Sequence, residues 1–182
     1  MNDFRSIVDR CRKNDRRAQL EFYHLFYKGV YNSSLRILGN REEAEEVMQE
    51  TFLKVFDRIS AYEADAEKML RILKRIAVNR SIDIYRKRRV RFAELEEVAG
   101  QPEEEAEAEL YPDPEIVART LPRLAERDRL ILTLRLIEGM EYEEIAAGMK
   151  VAISSARSRF TRARQKLVEL IKKECNYESL RR

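Results

Sequence analysis

The chain has 182 residues, 44% apolar and 38% charged, with five Gly, four Pro, no Trp and a formal net charge of +3. That length holds one domain or two small ones, and the composition is that of a charged globular protein rather than a disordered one. A lone histidine (His24) and two distant cysteines (Cys11, Cys175), without CxxC or Cys/His spacing, argue against a zinc site, and no apolar run approaches the ~18 residues a membrane span needs.

The predicted elements are helices. Phe4, Ile7, Val8 and Cys11 fall at helical spacing and predict a short first helix. A second runs from about Ala18 to Leu38 and stops at Gly39, the residue best suited to a left-handed cap. In the following NREE, Asn40 can cap a third helix and Glu43 can answer it from N3. Ala44, Val47, Met48, Thr51, Phe52, Val55, Phe56 and Ile59 then trace the cleanest amphipathic stripe in the chain. After a connection at SAYEADAEK, a fourth helix carries Leu73, Ile76, Ala77 and Ile84 inward and ends in the basic run Arg86-Lys87-Arg88-Arg89.

Charge is segregated. Residues 1–90 carry 20 Lys/Arg against 14 Asp/Glu, residues 91–115 carry 1 against 10, and residues 116–182 carry 15 against 9. Two basic blocks flanking an acidic one point to a polyanionic partner for the blocks. The acidic segment, punctuated by Pro102, Pro112 and Pro114, reads as a linker between two helical domains. The expected organisation is therefore all-α: an N-terminal helical domain over 1–90, an acidic linker over 91–115, and a C-terminal domain over 116–182. No signal peptide is read in MNDFRSIVDRCRK, and a cytoplasmic protein with reduced cysteines is expected.

In the C-terminal domain, a helix over Ala125–Glu138 stops at Gly139, and a short one covers Tyr142–Met149. Lys150–Ala152 turns the chain into a long helix from Ser154 to about Lys173, with Ala156, Phe160, Ala163, Leu167, Leu170 and Ile171 as its inner stripe. Short helix, three-residue turn and longer helix form a helix-turn-helix pattern. Across Ser154–Leu167 five side chains are cationic (Arg157, Arg159, Arg162, Arg164, Lys166) and none is acidic, whereas a merely solvated face would mix both signs. Small Ser154, Ser155 and Ser158 permit close approach, and the arginine forks suit guanine or phosphate. The bland alternative is a solvated basic helix on an ordinary bundle.

The stretch GMEYEEIAAGMKVAISSARSRFTRARQKL (139–167) resembles the C-terminal promoter-reading domain of bacterial sigma factors. EEAEEVMQETFLKVFDRI (42–59) resembles their polymerase-docking helix, and RILKRIAVNRSIDIYRKRR (71–89) the helix that opens and reads the −10 element. Order, length and linker are similar to the extracytoplasmic-function (ECF) subgroup. The departures are Ile72 where the family usually has Trp, Met69 for Phe, Lys150 for a turn Gly, Ala152 for a capping Ser and Ala156 for Val.

The resemblance implies a sigma factor that binds core RNA polymerase, recognises −35 and −10 promoter elements and assists opening. It implies no covalent chemistry by this chain and no cofactor, with an anti-sigma factor as a further partner. It assigns −35 DNA contact to Ser154, Ser155, Arg157, Ser158, Arg159, Thr161 and Arg162. For the −10 element it points to Tyr62, Asn79, Arg80, Asp83, Arg86 and Arg88, and for core polymerase to Glu46, Gln49, Glu50, Leu53 and Phe56. On spacing alone Phe52 and Phe56 read as core. Asn79, a poor interior helix former, either bonds locally or to Asp83 one turn on, or serves a base flipped from the unpaired strand; Tyr62 either stacks on such a base or packs its loop. The rival reading is a helix-turn-helix regulator that does not replace sigma.

Overall fold

Each helix of the N-terminal half starts where a short polar side chain meets orphan backbone N–H groups. In the computed structural model, which describes residues 3–91 and 114–179, with side chains over 3–88 and 116–173, α1 spans Phe4–Arg12 and α2 spans Arg16–Leu38. α3 covers Arg41–Asp57 and α4 covers Ala66–Arg91. Asp15 accepts from the Arg17 and Ala18 N–H groups at 2.8 and 3.3 Å, and Asn40 from Glu43 N–H at 3.1 Å. Asp65 accepts from Lys68 N–H at 2.8 Å. That bond, the largest cause, holds the Asp65 carboxyl below its ordinary pKa. Gly39 ends α2 at φ 65° and donates its N–H to the Leu35 carbonyl at 2.8 Å, the expected left-handed stop.

The first compact unit is residues 1–85. Its core is an aromatic cluster in which the Phe22 ring lies 5.0 Å from Phe26, 5.3 Å from Phe56 and 6.3 Å from Phe52. Aliphatic side chains from α4, Met69, Leu73, Ala77, Val78 and Ile82, are also buried, while Ile76 and Ile84 are half-buried. A methyl group added at Gly29 of α2 would stand 3.1 Å from Leu70 Cδ1 of α4, so the two helices approach closely there.

The second compact unit is residues 86–182. It contains α5 (Pro114–Thr120), a 3-10 turn (Leu121–Arg123), α6 (Glu126–Leu132), a π-helical segment (Thr133–Ile137), α7 (Tyr142–Met149) and α8 (Ile153–Ser179). All regular elements among the described residues are helices, in agreement with the all-α expectation. Leu130, Ile131, Leu134, Ile145, Ala146, Ala156, Ala163 and Leu167 form the core of this unit. Phe160 and Leu170 on the predicted inner stripe are half-buried.

One sequence expectation needs correction. The helix over 125–138 is not α-helical throughout. Its last turn widens: Glu138 N–H reaches the Thr133 carbonyl five residues back, at 3.0 Å, and Met140 N–H reaches Leu134 at 3.0 Å. Gly139, at φ 67°, then turns the chain as expected. Residues 92–113, nearly all of the predicted acidic linker, lie outside the described residues.

Candidate nucleic-acid and polymerase interfaces

The outward face of α8 is built by exclusion. Ala156, Ala163 and Leu167 are buried against the unit, which leaves Ser154, Arg157 and Arg162 exposed. Ser155, Ser158, Arg159 and Thr161 flank them, half-buried. Two of the hydroxyls are spoken for as donors. Ser158 Oγ donates to the Ser154 carbonyl at 3.0 Å and Thr161 Oγ1 to the Arg157 carbonyl at 3.2 Å. Each keeps lone pairs to accept from an outside group. Arg162 spends its Nε on the Ser158 carbonyl at 3.3 Å, so its terminal nitrogens remain for the outward edge.

The turn before α8 is strained. Lys150 sits at φ 54°, ψ 51°, a left-handed position that a side chain adopts at a cost. Ala152, just before Ile153, has no side-chain oxygen with which to cap α8. α7 is better provided: Glu141 and Glu144 form a reciprocal capping box.

A residue the sequence reading passed over organises this end of the unit. The Tyr142 ring, first in α7, has the Arg135 guanidinium 4.9 Å and the Arg157 guanidinium 5.3 Å from its centroid. Phe160 meets it edge-on at 5.8 Å. Arg135 leaves the π-helical segment to donate to the Met140 carbonyl and to pair with Glu141, both at 3.0 Å. The hydrogen bond to Glu141, the largest cause, raises the Arg135 pKa further above its ordinary value.

In the first unit, Glu46, Gln49 and Leu53 stand exposed at steps of three and four along α3, and Leu53 retains 64% of its surface. Phe56, by contrast, is half-buried with its ring in the aromatic cluster, as its spacing suggested. Glu50 turns toward α4, where Arg80 donates to it through Nε at 2.6 Å and Nη2 at 3.0 Å. Thus Glu50 and Arg80, assigned by the resemblance to two different surfaces, are partners. The Arg80 pKa is raised chiefly by that bond, then by the charges of Glu50, Glu46 and Asp83.

Asn79 is exposed one position before Arg80, and Asp83 follows one turn on. No side-chain hydrogen bond ties Asn79 to another described residue. Tyr62 is half-buried at the end of a 3-10 turn (Ile59–Ala61), and its carbonyl accepts from Arg12 Nη2 of α1 at 2.8 Å. Arg86 and Arg88 group with the second unit. There Arg86 Nη1 donates to the Gly148 carbonyl at 3.1 Å, and Arg88 Nη1 pairs with Glu126 at 3.0 Å. The structure thus joins Asn79, Arg80 and Asp83 along one stretch of α4 and engages Arg86 and Arg88 elsewhere. No helix among the described residues is long and apolar enough to cross a membrane.

Two family models match this chain: "Sigma-70 region 2" over residues 22–91 and "Sigma-70, region 4" over residues 115–167. Among curated relatives, the ECF RNA polymerase sigma factor SigE of Mycolicibacterium smegmatis is 35% identical over 150 residues, covering 79% of this chain and 58% of that protein. The ECF RNA polymerase sigma factor SigW of Bacillus subtilis is 24% identical over 173 residues, covering 88% of this chain and 92% of its own. The chain therefore spans less than two thirds of the mycobacterial protein and nearly all of the Bacillus one. Among solved structures, the sigma factor RpoE of Bartonella quintana, in complex with the anti-sigma factor NepR, aligns over 84% of this chain and 95% of that chain at 24% identity, with a TM-score of 0.48. With region 2 on the helices that carry Glu50 and Arg80, and region 4 ending on α8, this chain belongs to the sigma-70 family of RNA polymerase sigma factors, in its extracytoplasmic-function group.

Proposed function

We propose that the protein binds core RNA polymerase, directs it to a promoter with −35 and −10 elements, and assists strand opening. The observation that carries this reading is the pairing of two region matches with two differently built surfaces. One is an exposed polar and apolar stripe on α3 beside Asn79 on α4; the other is the acid-free outward face of α8. The α3 stripe, Glu46, Gln49 and Leu53, is the polymerase contact. Asn79, with Tyr62 from the neighbouring loop, takes an unpaired base of the −10 element, and Ser154, Ser155, Arg157, Ser158 and Arg162 face the −35 duplex.

The division into a polymerase and −10 domain over 1–90, an acidic linker over 91–115 and a −35 domain over 116–182 belongs to the same reading. So do a non-enzymatic role, a cytoplasmic location and restraint by an anti-sigma factor. A regulator that never replaces sigma has no use for a region 2 helix pair. Reconstitution with core polymerase tests the proposal: the purified chain co-elutes with core enzyme and yields a transcript of defined start. A chain that footprints duplex DNA but neither co-elutes nor supports transcription overturns it.

A further inference from the structure

Side chains from three elements meet at one aromatic ring. Tyr142 opens α7, Arg135 comes from the π-helical segment, and Arg157 comes from the second turn of α8. Phe160, one turn beyond Arg157, packs its own ring edge-on against Tyr142 at 74°. α8 therefore grips a single aromatic ring at two successive positions on the same side of the helix.

The arrangement brings two guanidinium groups to one ring, which mutual repulsion would oppose. Glu141 offsets it, because its carboxylate pairs with Arg135 at 3.0 Å, while the Met140 carbonyl takes a further Arg135 bond. With one charge neutralised, the negative ring face is left to attract the second cation. Arg157 itself is exposed. An exposed arginine samples many rotamers, and ordering it against a base edge costs entropy when DNA arrives.

We propose that Tyr142 is a positioning residue for promoter recognition, its ring holding the Arg157 guanidinium in place at the base-reading face of α8 before DNA is met. This rests on the reading that α8 faces the −35 duplex. Tyr142 contributes through Arg157 rather than through a base contact of its own. The ring is what holds Arg157; the phenol hydroxyl meets Arg135 instead, and Glu141 serves by occupying Arg135.

The experiment uses holoenzyme reconstituted from core polymerase and the full chain. A preferred −35 duplex is first selected with wild-type holoenzyme from a randomised library. Binding to it, to its single-base variants and to a scrambled duplex is then measured at two salt concentrations. Tyr142→Leu is expected to lower discrimination about three- to ten-fold at the positions where Arg157→Ala lowers it, leaving scrambled-duplex affinity and its salt slope unchanged. Tyr142→Phe is expected to retain wild-type discrimination, and Tyr142→Leu combined with Arg157→Ala to lose no more than Arg157→Ala alone.

Equal loss for Tyr142→Phe and Tyr142→Leu would overturn the proposal in favour of a hydroxyl contact. So would a uniform loss across all duplexes, or additive losses in the double variant. If Arg157→Ala leaves discrimination untouched while Arg162→Ala lowers it, positioning by Tyr142 fails but −35 reading by α8 stands. If neither arginine matters, the reading of α8 fails with it.

Discussion

Glu50 on α3 and Arg80 on α4 are joined by a two-pronged ion pair, with N–O distances of 2.6 and 3.0 Å. Each side chain keeps about a third of its surface, 32% and 28%. Paired forks of this kind are stronger than ordinary surface ion pairs, yet solvent still screens them. A double-mutant cycle of Glu50→Gln and Arg80→Gln, read by urea unfolding, is expected to return a coupling of about 1 kcal/mol. Additive effects would show the pair to be of no consequence for the first unit. The pair also makes Glu50→Lys an unsuitable probe of polymerase docking, because it would set two cations against each other between α3 and α4.

Polymerase docking is better tested at residues that the fold does not need. Leu53→Ser removes a side chain that is 64% exposed and is expected to change stability by no more than about 0.5 kcal/mol. Affinity for core enzyme is expected to fall, and to fall further with Gln49→Ala. Phe56→Ala is expected to do the reverse first, costing about 2–3 kcal/mol through its aromatic contacts. Unchanged affinity of Leu53→Ser in a direct titration would remove α3 from the interface.

Arg162→Ala is expected to weaken binding of holoenzyme to a −35 duplex by about 1–3 kcal/mol if the arginine meets a base. If it meets phosphate, the loss is uniform across sequences and the salt slope falls by about one. Asn79→Ala is expected to leave duplex binding nearly unchanged and to lower open-complex formation, seen as weaker permanganate reactivity of unpaired thymines. A pre-melted bubble retains that defect, since the missing contact is to the flipped base itself. Wild-type melting by Asn79→Ala would return that residue to a purely local role.

The turn before α8 can be improved. Lys150→Gly relieves a left-handed backbone, with a gain of about 0.5 kcal/mol after glycine's greater freedom in the unfolded chain is counted. Ala152→Ser supplies the absent cap and is expected to add about 1 kcal/mol. Chemical denaturation of the two variants, singly and together, measures both gains. A loss on either substitution would mean the turn is not the weak point of this helix-turn-helix.

Cys11 is buried, and burial, the largest cause, pushes its thiol up to about 11. A raised folded pKa means the native state holds the proton longer than the unfolded chain does. This contribution to stability is complete below the unfolded pKa and is lost as pH rises through about 11. Modification of Cys11 by a thiol reagent at neutral pH is therefore expected only at the rate of unfolding, and Cys11→Ser is expected to flatten the alkaline fall in stability. Rapid labelling of the native protein at Cys11 would contradict the burial.

Much of the fold was legible because its signals are local. Gly39 and Gly139 stop their helices at φ 65° and 67°, and Asn40 caps α3, each from one residue's chemistry. The α3 stripe buries Ala44, Val47, Met48, Phe52 and Val55 from periodicity alone. The exposed cations of α8 were readable by the same logic. The Glu50–Arg80 pair was not, because a charge on one helix face does not name its partner 30 residues away. Nor was Tyr142, since an aromatic residue at a helix start is ordinarily a core residue. Only the fold brings Arg135, seven residues before it, and Arg157, fifteen after it, to the same ring.

The widened turn at Thr133–Ile137 makes the number of residues there matter as much as their kind. A π turn accommodates an additional residue within the helix, so deleting one residue could restore ordinary α geometry at little local cost. Everything after it would then be rotated by about 100° around the helix axis and drawn back by about 1.5 Å. Arg135 would no longer address Glu141, Gly139 would bend the chain in another direction, and α7 would leave from the wrong side. In this segment a single deletion is thus expected to be more damaging than most substitutions, and chain length itself carries structural information that a comparison of residue types does not register.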